Sequence, residues 1–156
     1  MIEITRHGAD VIDELRPLWL AMVHHHGQTA VSMGPVREDD DSWARRREHY
    51  ERQLARPGAF VLLARDGERA VGYALVAIEE ASPTWPEPGD WAEIDSLSVL
   101  PEARGQGVGE RLVARVQEEA GDRELRLFAM SENAGALRFY EREGFETFIV
   151  VMRRRP

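Results

Sequence analysis

The sequence predicts an α/β fold, more narrowly α+β, on three observations. An apolar, strand-like run from Ile94 to Leu100 passes through a glycine-rich turn into an amphipathic helical run from Glu110 to Ala120. Two further strand-like runs, Ala59 to Ala64 and Ala70 to Ile78, flank Asp66-Gly67, a strong hairpin signal. Ahead of them, Val11, Ile12, Leu15, Leu18, Trp19, Met22 and Val23 recur at helical spacing.

Taken in order, Ile2 to Thr5 reads as a short first strand and Ala9 to His25 as helix. Pro17 falls inside that helix and predicts a kink or two shorter helices, because proline lacks the N–H and crowds the preceding turn. Residues 27 to 41 are polar and glycine-bearing, a loop. Asp41-Ser42 precede a second helix, Trp43 to Ala55, which Pro57-Gly58 stop. After the hairpin, residues 82 to 90 form an exposed loop holding three prolines and Trp85. The remainder alternates strand, helix, strand, helix, strand, with strands at Glu124 to Met130 and Phe145 to Met152. No repeat or linker divides the 156 residues, so residues 1–156 read as one domain large enough for a proper core.

Composition sets outer bounds. The hydrophobic fraction of 43% is too high for a disordered chain. The longest apolar run, Val71 to Ile78, is far short of the roughly 20 residues a membrane helix needs. Glu3, Arg6 and Asp10 interrupt any signal-peptide core, and the absence of cysteine excludes disulfides and thiolate chemistry; both agree with a cytoplasmic protein. A net charge of −8 disfavours nucleic acid and mildly favours a cationic partner by steering. Arg45-Arg46-Arg47 and Arg153-Arg154-Arg155 are local exceptions, read as solvated faces. No membrane contact is expected, and a homodimer is left open. All 20 basic residues are arginine, and Asn133 is the lone asparagine.

The informative stretch is Arg104-Gly105-Gln106-Gly107-Val108-Gly109, with glycines at alternate positions where a helix should begin. Glycine admits close backbone approach, and a helix's first turn offers unpaired N–H groups at its positive end; a strand feeding such a turn suits phosphate. A nucleoside-triphosphate loop needs Gly-Lys-Ser/Thr and is excluded, since the chain has no lysine. A dinucleotide loop wants G-x-G-x-x-G, whereas the spacing here is Gly105-x-Gly107-x-Gly109. The pattern Arg-x-x-Gly-x-Gly fits residues 104 to 109 and resembles the acyl-CoA pyrophosphate loop of the GNAT superfamily of N-acetyltransferases. Two more segments agree. Asn133-Ala134-Gly135-Ala136-Leu137-Arg138-Phe139-Tyr140, closed by Gly144-Phe145, resembles that family's second signature, and Trp91 to Val99 resembles its central strand. The resemblance spans roughly residues 58 to 152; before that only the order of elements matches.

Membership would imply a mixed, mostly antiparallel sheet of six to seven strands splayed in a V and flanked by about four helices. It would imply transfer of an acetyl group from acetyl-CoA, as co-substrate and without metal, to the primary amine of a small molecule or peptide. By resemblance, Arg104, Gly105, Gln106, Gly107, Val108 and Gly109 would hold the pyrophosphate. Leu97, Ser98 and Val99 would offer main-chain groups to the pantetheine arm, and Asn133 would serve cofactor binding, capping its helix as well. Tyr140 would be the general acid toward the CoA sulfur; its spacing with Leu137 and Gly144 also suits a core aromatic. Glu93 would be the base, on the same strand face as Leu97 unless a bulge substitutes Asp95 or Ser96, with ordered water also able to serve. The competing reading is a non-catalytic CoA-binding sensor of the same fold. His24-His25-His26 lack the i, i+4 spacing of a helical metal site and are expected to end the first helix near the acceptor mouth.

Overall fold

The computed structural model describes residues 1–86 and 88–156. Glu87, within the proline-bearing loop, lies outside the described residues. Five strands form one sheet in the order β1 (Ile2–His7), β2 (Phe60–Asp66), β3 (Arg69–Glu79), β4 (Trp91–Val99) and β5 (Leu125–Leu127). Neighbours are antiparallel except β4 and β5, which run parallel. The helices are α1 (Arg16–Thr29), α2 (Asp39–Leu54), α3 (Val108–Ala120) and α4 (Ala134–Arg142), with short 3-10 turns at Ala9–Leu15, Val31–Met33 and Pro101–Ala103.

Pro17 acts as its chemistry requires. The predicted single helix divides into the 3-10 segment Ala9–Leu15 and α1, with the proline in the first turn of α1, where a missing N–H costs nothing. The second helix begins at Asp39, earlier than the predicted Trp43, with Asp39, Asp40 and Asp41 in its first turn at the positive end of the dipole. The hairpin forms around Gly67, whose φ of 60° belongs to the left-handed region glycine tolerates.

The sheet is covered on both faces. One core gathers Leu15, Leu18, Trp19, Trp43, Tyr50, Val61, Leu63, Tyr73 and Leu75 between α1, α2 and the sheet. The other gathers Phe60, Leu62, Val76, Ile94, Val108, Leu112 and Val116 beneath α3. Val108, Leu112, Val116 and Ala120 recur every four residues, so one stripe of α3 is buried against the strands.

Three expectations need correction. The sheet has five strands rather than six or seven. Phe145 to Met152, expected as the last strand, takes no strand pairing, and Phe148 to Met152 stand exposed. A run of apolar residues supplies strand propensity but not a partner, and β5 offers only three paired residues to build upon. Likewise the fifth strand is Leu125–Leu127 rather than Glu124 to Met130.

Candidate active site

A bulge in β4 organises the site. Ile94 pairs with Val76 and Ser96 with Leu75, so Asp95 is the extra residue on β4. The bulge exchanges the faces of the strand. Before it Ala92 and Ile94 belong to the α3 core; after it Leu97 and Val99 do. Glu93 therefore does not share a face with Leu97, contrary to the unbulged expectation. It shares the α1–α2 side with Asp95, Ser96 and Ser98.

A chain of buried hydroxyls leads to Asp95. The Tyr50 hydroxyl lies 2.7 Å from that of Tyr73 and donates to Ser96 Oγ at 2.7 Å, and Ser96 Oγ donates to Asp95 Oδ1 at 3.1 Å. Arg46 Nη1 donates to the same oxygen at 3.3 Å, and His49 Nε2 meets Oδ2 at 2.5 Å. An ionised carboxylate only accepts, so in this pair His49 Nε2 is the donor. Burial pushes the Tyr50 phenol up to about 12 and that of Tyr73 well above its usual 10, so both remain donors. Asp95, with three donors on two oxygens, is committed to structure. Glu93 is different. It is half-buried, has no hydrogen bond to a described residue, and is raised above the ordinary carboxylate range first by desolvation, then by Asp95 and Glu79.

His49 and Arg46 depart from the solvated face expected of arginines 45 to 47. Arg47 does lie outward, against Asp13 and Glu51. Yet Arg46, His49 and Tyr50 share one stripe of α2 at i, i+3, i+4, a polar stripe on an inward face, and that spacing is the signal that could have found them.

On its other edge β4 is held by β5 only from Ala92 to Ile94. Beyond the bulge the two parallel strands part, and Leu97, Ser98 and Val99 have no strand partner on that side among the described residues. The Ser98 side chain is not available to a ligand, since it is buried and donates to the Leu18 carbonyl at 2.9 Å. Its main chain has no strand partner on that edge among the described residues. The glycine loop stands at the end of this opening. Gly105 and Gly107 have φ of 73° and 74°, and a Cβ on either would meet only open space. Gly107 caps α3 without any side-chain hydrogen bond, leaving the N–H groups of the first turn, Val108, Gly109 and Glu110, to an outside acceptor. Arg104 is exposed, yet its Nε donates to the Val99 carbonyl at 3.0 Å, and Gln106 Nε2 ties the loop to the Glu102 carbonyl at 3.0 Å. Gly109 has another duty: a Cβ there would press on Phe139 at 3.1 Å, so this glycine lets α4 close against α3.

That contact sets Tyr140. Asn133 is buried and caps α4, its Oδ1 accepting from the Ala136 N–H at 3.1 Å. Tyr140 lies edge-on to Phe139 and Phe145, with centroids 5.2 and 5.6 Å away. Its hydroxyl bonds no described residue, and burial raises its pKa to about 12. The histidines are separated in role: His24 pairs with Asp39 at 2.8 Å, and His26 is lowered chiefly by burial. No group of three or more metal-ligating side chains occurs among the described residues. Trp85 is exposed in its loop.

In this helix-flanked sheet, the end of β4–β5 pairing leaves a strand edge, unpaired among the described residues, next to the glycine-capped start of α3. Comparison with known proteins identifies the fold. The model of the acetyltransferase (GNAT) family matches residues 19–145, and the chain belongs to that family. An N-alpha-acetyltransferase RimI of Mycobacterium tuberculosis is 31% identical over 116 residues, covering 74% of this chain and 68% of the relative. An amino-acid acetyltransferase of Neisseria meningitidis is 34% identical over 119 residues, 76% of this chain, which spans only 24% of that longer protein. Among solved structures, a GCN5-related N-acetyltransferase from Ralstonia eutropha superposes with a TM-score of 0.75 at 19% identity, covering 99% of this chain and 98% of its own. An aminoglycoside N-acetyltransferase in complex with CoA superposes at 0.72 with 20% identity, covering 100% and 95%. No helix among the described residues is long and apolar enough to cross a membrane.

Proposed function

We propose that the protein transfers an acetyl group from acetyl-CoA to a primary amine by direct attack. The observation that carries this reading is the end of β4–β5 pairing beside the Gly105–Gly107 cradle; to this reading we assign Tyr140 and Glu93 as its proton-handling residues. The cradle fits a pyrophosphate, because its two left-handed glycines leave open space where any side chain would stand and the first turn of α3 lacks a cap. The free main chain of Leu97 to Val99 suits an amide-rich arm lying as an added strand, and a strand N–H there would polarise the thioester carbonyl. When bound, acetyl-CoA supplies the activated acyl group: the C–S bond breaks as the amine forms the C–N bond.

The residues of this chain handle the protons. An alkyl amine is mostly protonated near pH 7, and Glu93, unpaired and half-buried, takes that proton directly or through water. Asp95 is set aside for this role because its oxygens already accept from Ser96, Arg46 and His49. Tyr140, whose phenol burial raises to about 12, gives its proton to the thiolate as the C–S bond breaks. A non-catalytic sensor would need neither an unpaired phenol nor an unpaired carboxylate flanking the opening. The test is thiol release from acetyl-CoA against a panel of amines, with the acetylated product weighed by mass spectrometry. Amine-dependent release with a single added acetyl is expected; CoA binding with no release for any amine would favour the sensor.

A further inference from the structure

After its bulge, strand β4 is held by the ladder on one edge only. Leu97 pairs with Ala74 and Ser98 with Tyr73 of β3, while the β5 edge has no strand partner beyond Ile94 among the described residues. A bulged residue stands outside the ladder, so at Asp95 something other than strand pairing has to fix the main chain.

Side chains on the α1–α2 face do so. Asp95 accepts from Ser96, Arg46 and His49, and Arg46 is itself stacked 3.9 Å over the Trp19 ring. Ser98 Oγ donates to the Leu18 carbonyl of α1 at 2.9 Å. Leu97 therefore lies between two anchored serines.

Tyr50 and Tyr73 stand behind the first anchor, both fully buried. The Tyr50 ring meets Trp19, Trp43 and Tyr73 edge-on, at centroid distances of 6.3, 6.4 and 6.2 Å. Phenylalanine would fill the same space, so packing accounts for the rings and not for the hydroxyls, whose burial is costly unless they are bonded. Asp95 fixes the direction of those bonds. A carboxylate only accepts, so Ser96 gives its proton to Asp95 and accepts from Tyr50; Tyr50, with its proton on Ser96, accepts from Tyr73. Donation runs from Tyr73 through Tyr50 and Ser96 and ends at the bulge.

We propose that the Tyr50 and Tyr73 hydroxyls are positioning groups that, through Ser96 and Asp95, fix the main chain of Leu97 to Val99 at the free edge of β4. The effect on rate rests on the acetyltransferase reading above. The hydroxyls touch neither acyl donor nor amine; they hold the strand that would receive the thioester, where a displacement of about 1 Å costs about a hundredfold.

The test compares Tyr50→Phe, Tyr73→Phe and the double variant with Val61→Ala, a truncation in the same core but on β2. All four should fold and melt below the parent. In hydrogen exchange read by mass spectrometry, peptides covering residues 93 to 100 should exchange about tenfold faster in the double variant than in Val61→Ala, the scale of one lost hydrogen bond. Peptides of α3 should exchange alike in the two. By thiol release from acetyl-CoA, the double variant should lose about ten- to a hundredfold in kcat, with KM for the amine and affinity for CoA within about threefold. Val61→Ala should keep kcat within about twofold. Tyr50→Phe should lie nearer the double variant than Tyr73→Phe does, because Tyr50 bonds Ser96 directly. Equal exchange in the double variant and Val61→Ala overturns the proposal, as does faster exchange with an unchanged kcat; either reduces the hydroxyls to packing. Should the parent acetylate no amine, the acetyltransferase reading falls, and the exchange comparison alone decides whether the hydroxyls fix this strand.

Discussion

Tyr140 and Glu93 make opposite demands on the same opening, and burial serves both. Desolvation disfavours charge, so it holds the phenol protonated and draws the carboxylate toward neutrality. Tyr140→Phe keeps both ring contacts and removes only the hydroxyl. Turnover should fall by about 10²-fold or more, the scale of a positioned acid, with melting temperature and CoA affinity unchanged. Equal turnover would leave the ring as packing alone. For Glu93 the sign follows from its raised pKa. The folded state holds that proton more tightly than the unfolded chain, so Glu93 stabilises the fold below its unfolded pKa. That contribution is lost as pH rises through the higher folded value. Glu93→Gln removes the charge, so at neutral pH the variant should melt higher than the parent while acetylating more slowly, with partial recovery at high pH where the amine is already neutral. A variant less stable at neutral pH, or equally active, would deny Glu93 this role. Tyr140 stands out in the sequence as a candidate because its motif is local. The commitment of Asp95 does not, because it depends on Ser96, Arg46 and His49 arriving from β4 and α2 together.

At the scale of elements, the three glycines of the loop divide their labour, which the spacing alone could not reveal. Gly107 sits at φ 74° facing open space, whereas Gly109 sits beneath the Phe139 ring. Gly107→Glu should therefore abolish CoA binding by calorimetry while the fold persists, at a strain cost of about 1 kcal/mol for a left-handed non-glycine residue. Gly109→Ala should act differently. It pushes α4 from α3, costs about 1–3 kcal/mol as overpacking, and lowers turnover by displacing Tyr140 rather than by blocking the phosphate. If the two variants lose CoA affinity alike, Gly109 belongs to the cradle after all. The loop could be read early because a left-handed turn demands glycine locally. The β4 bulge and the lone Phe145–Met152 segment could not, because register and pairing are relations between strands, and an apolar run along one chain does not encode its partner.

For the molecule as a whole, stability should be unevenly distributed, and the ligand should even it out. Strands β2, β3 and β4 are packed from both sides by two cores, with Val61, Leu62, Leu63, Ala74 and Leu75 fully buried. Beyond the opening, β5 is held by three paired residues, and no side chain of α4 is fully buried. Amides of β5, α4 and the segment after Phe145 should therefore exchange hydrogen well before those of β2 to β4, since local opening costs least where few apolar contacts are broken. Acetyl-CoA, on the proposed reading, spans the gap from the loop at Arg104–Gly109 to α4. It binds only the folded arrangement, so it should raise the melting temperature and slow exchange selectively at the start of α3, along the free edge of β4 and in α4. The measurement is hydrogen exchange read by mass spectrometry with and without acetyl-CoA. Protection confined to α1 and α2, or a uniform slowing that includes β1 and β2 equally, would place the ligand elsewhere and separate the opening in the sheet from the chemistry assigned to it.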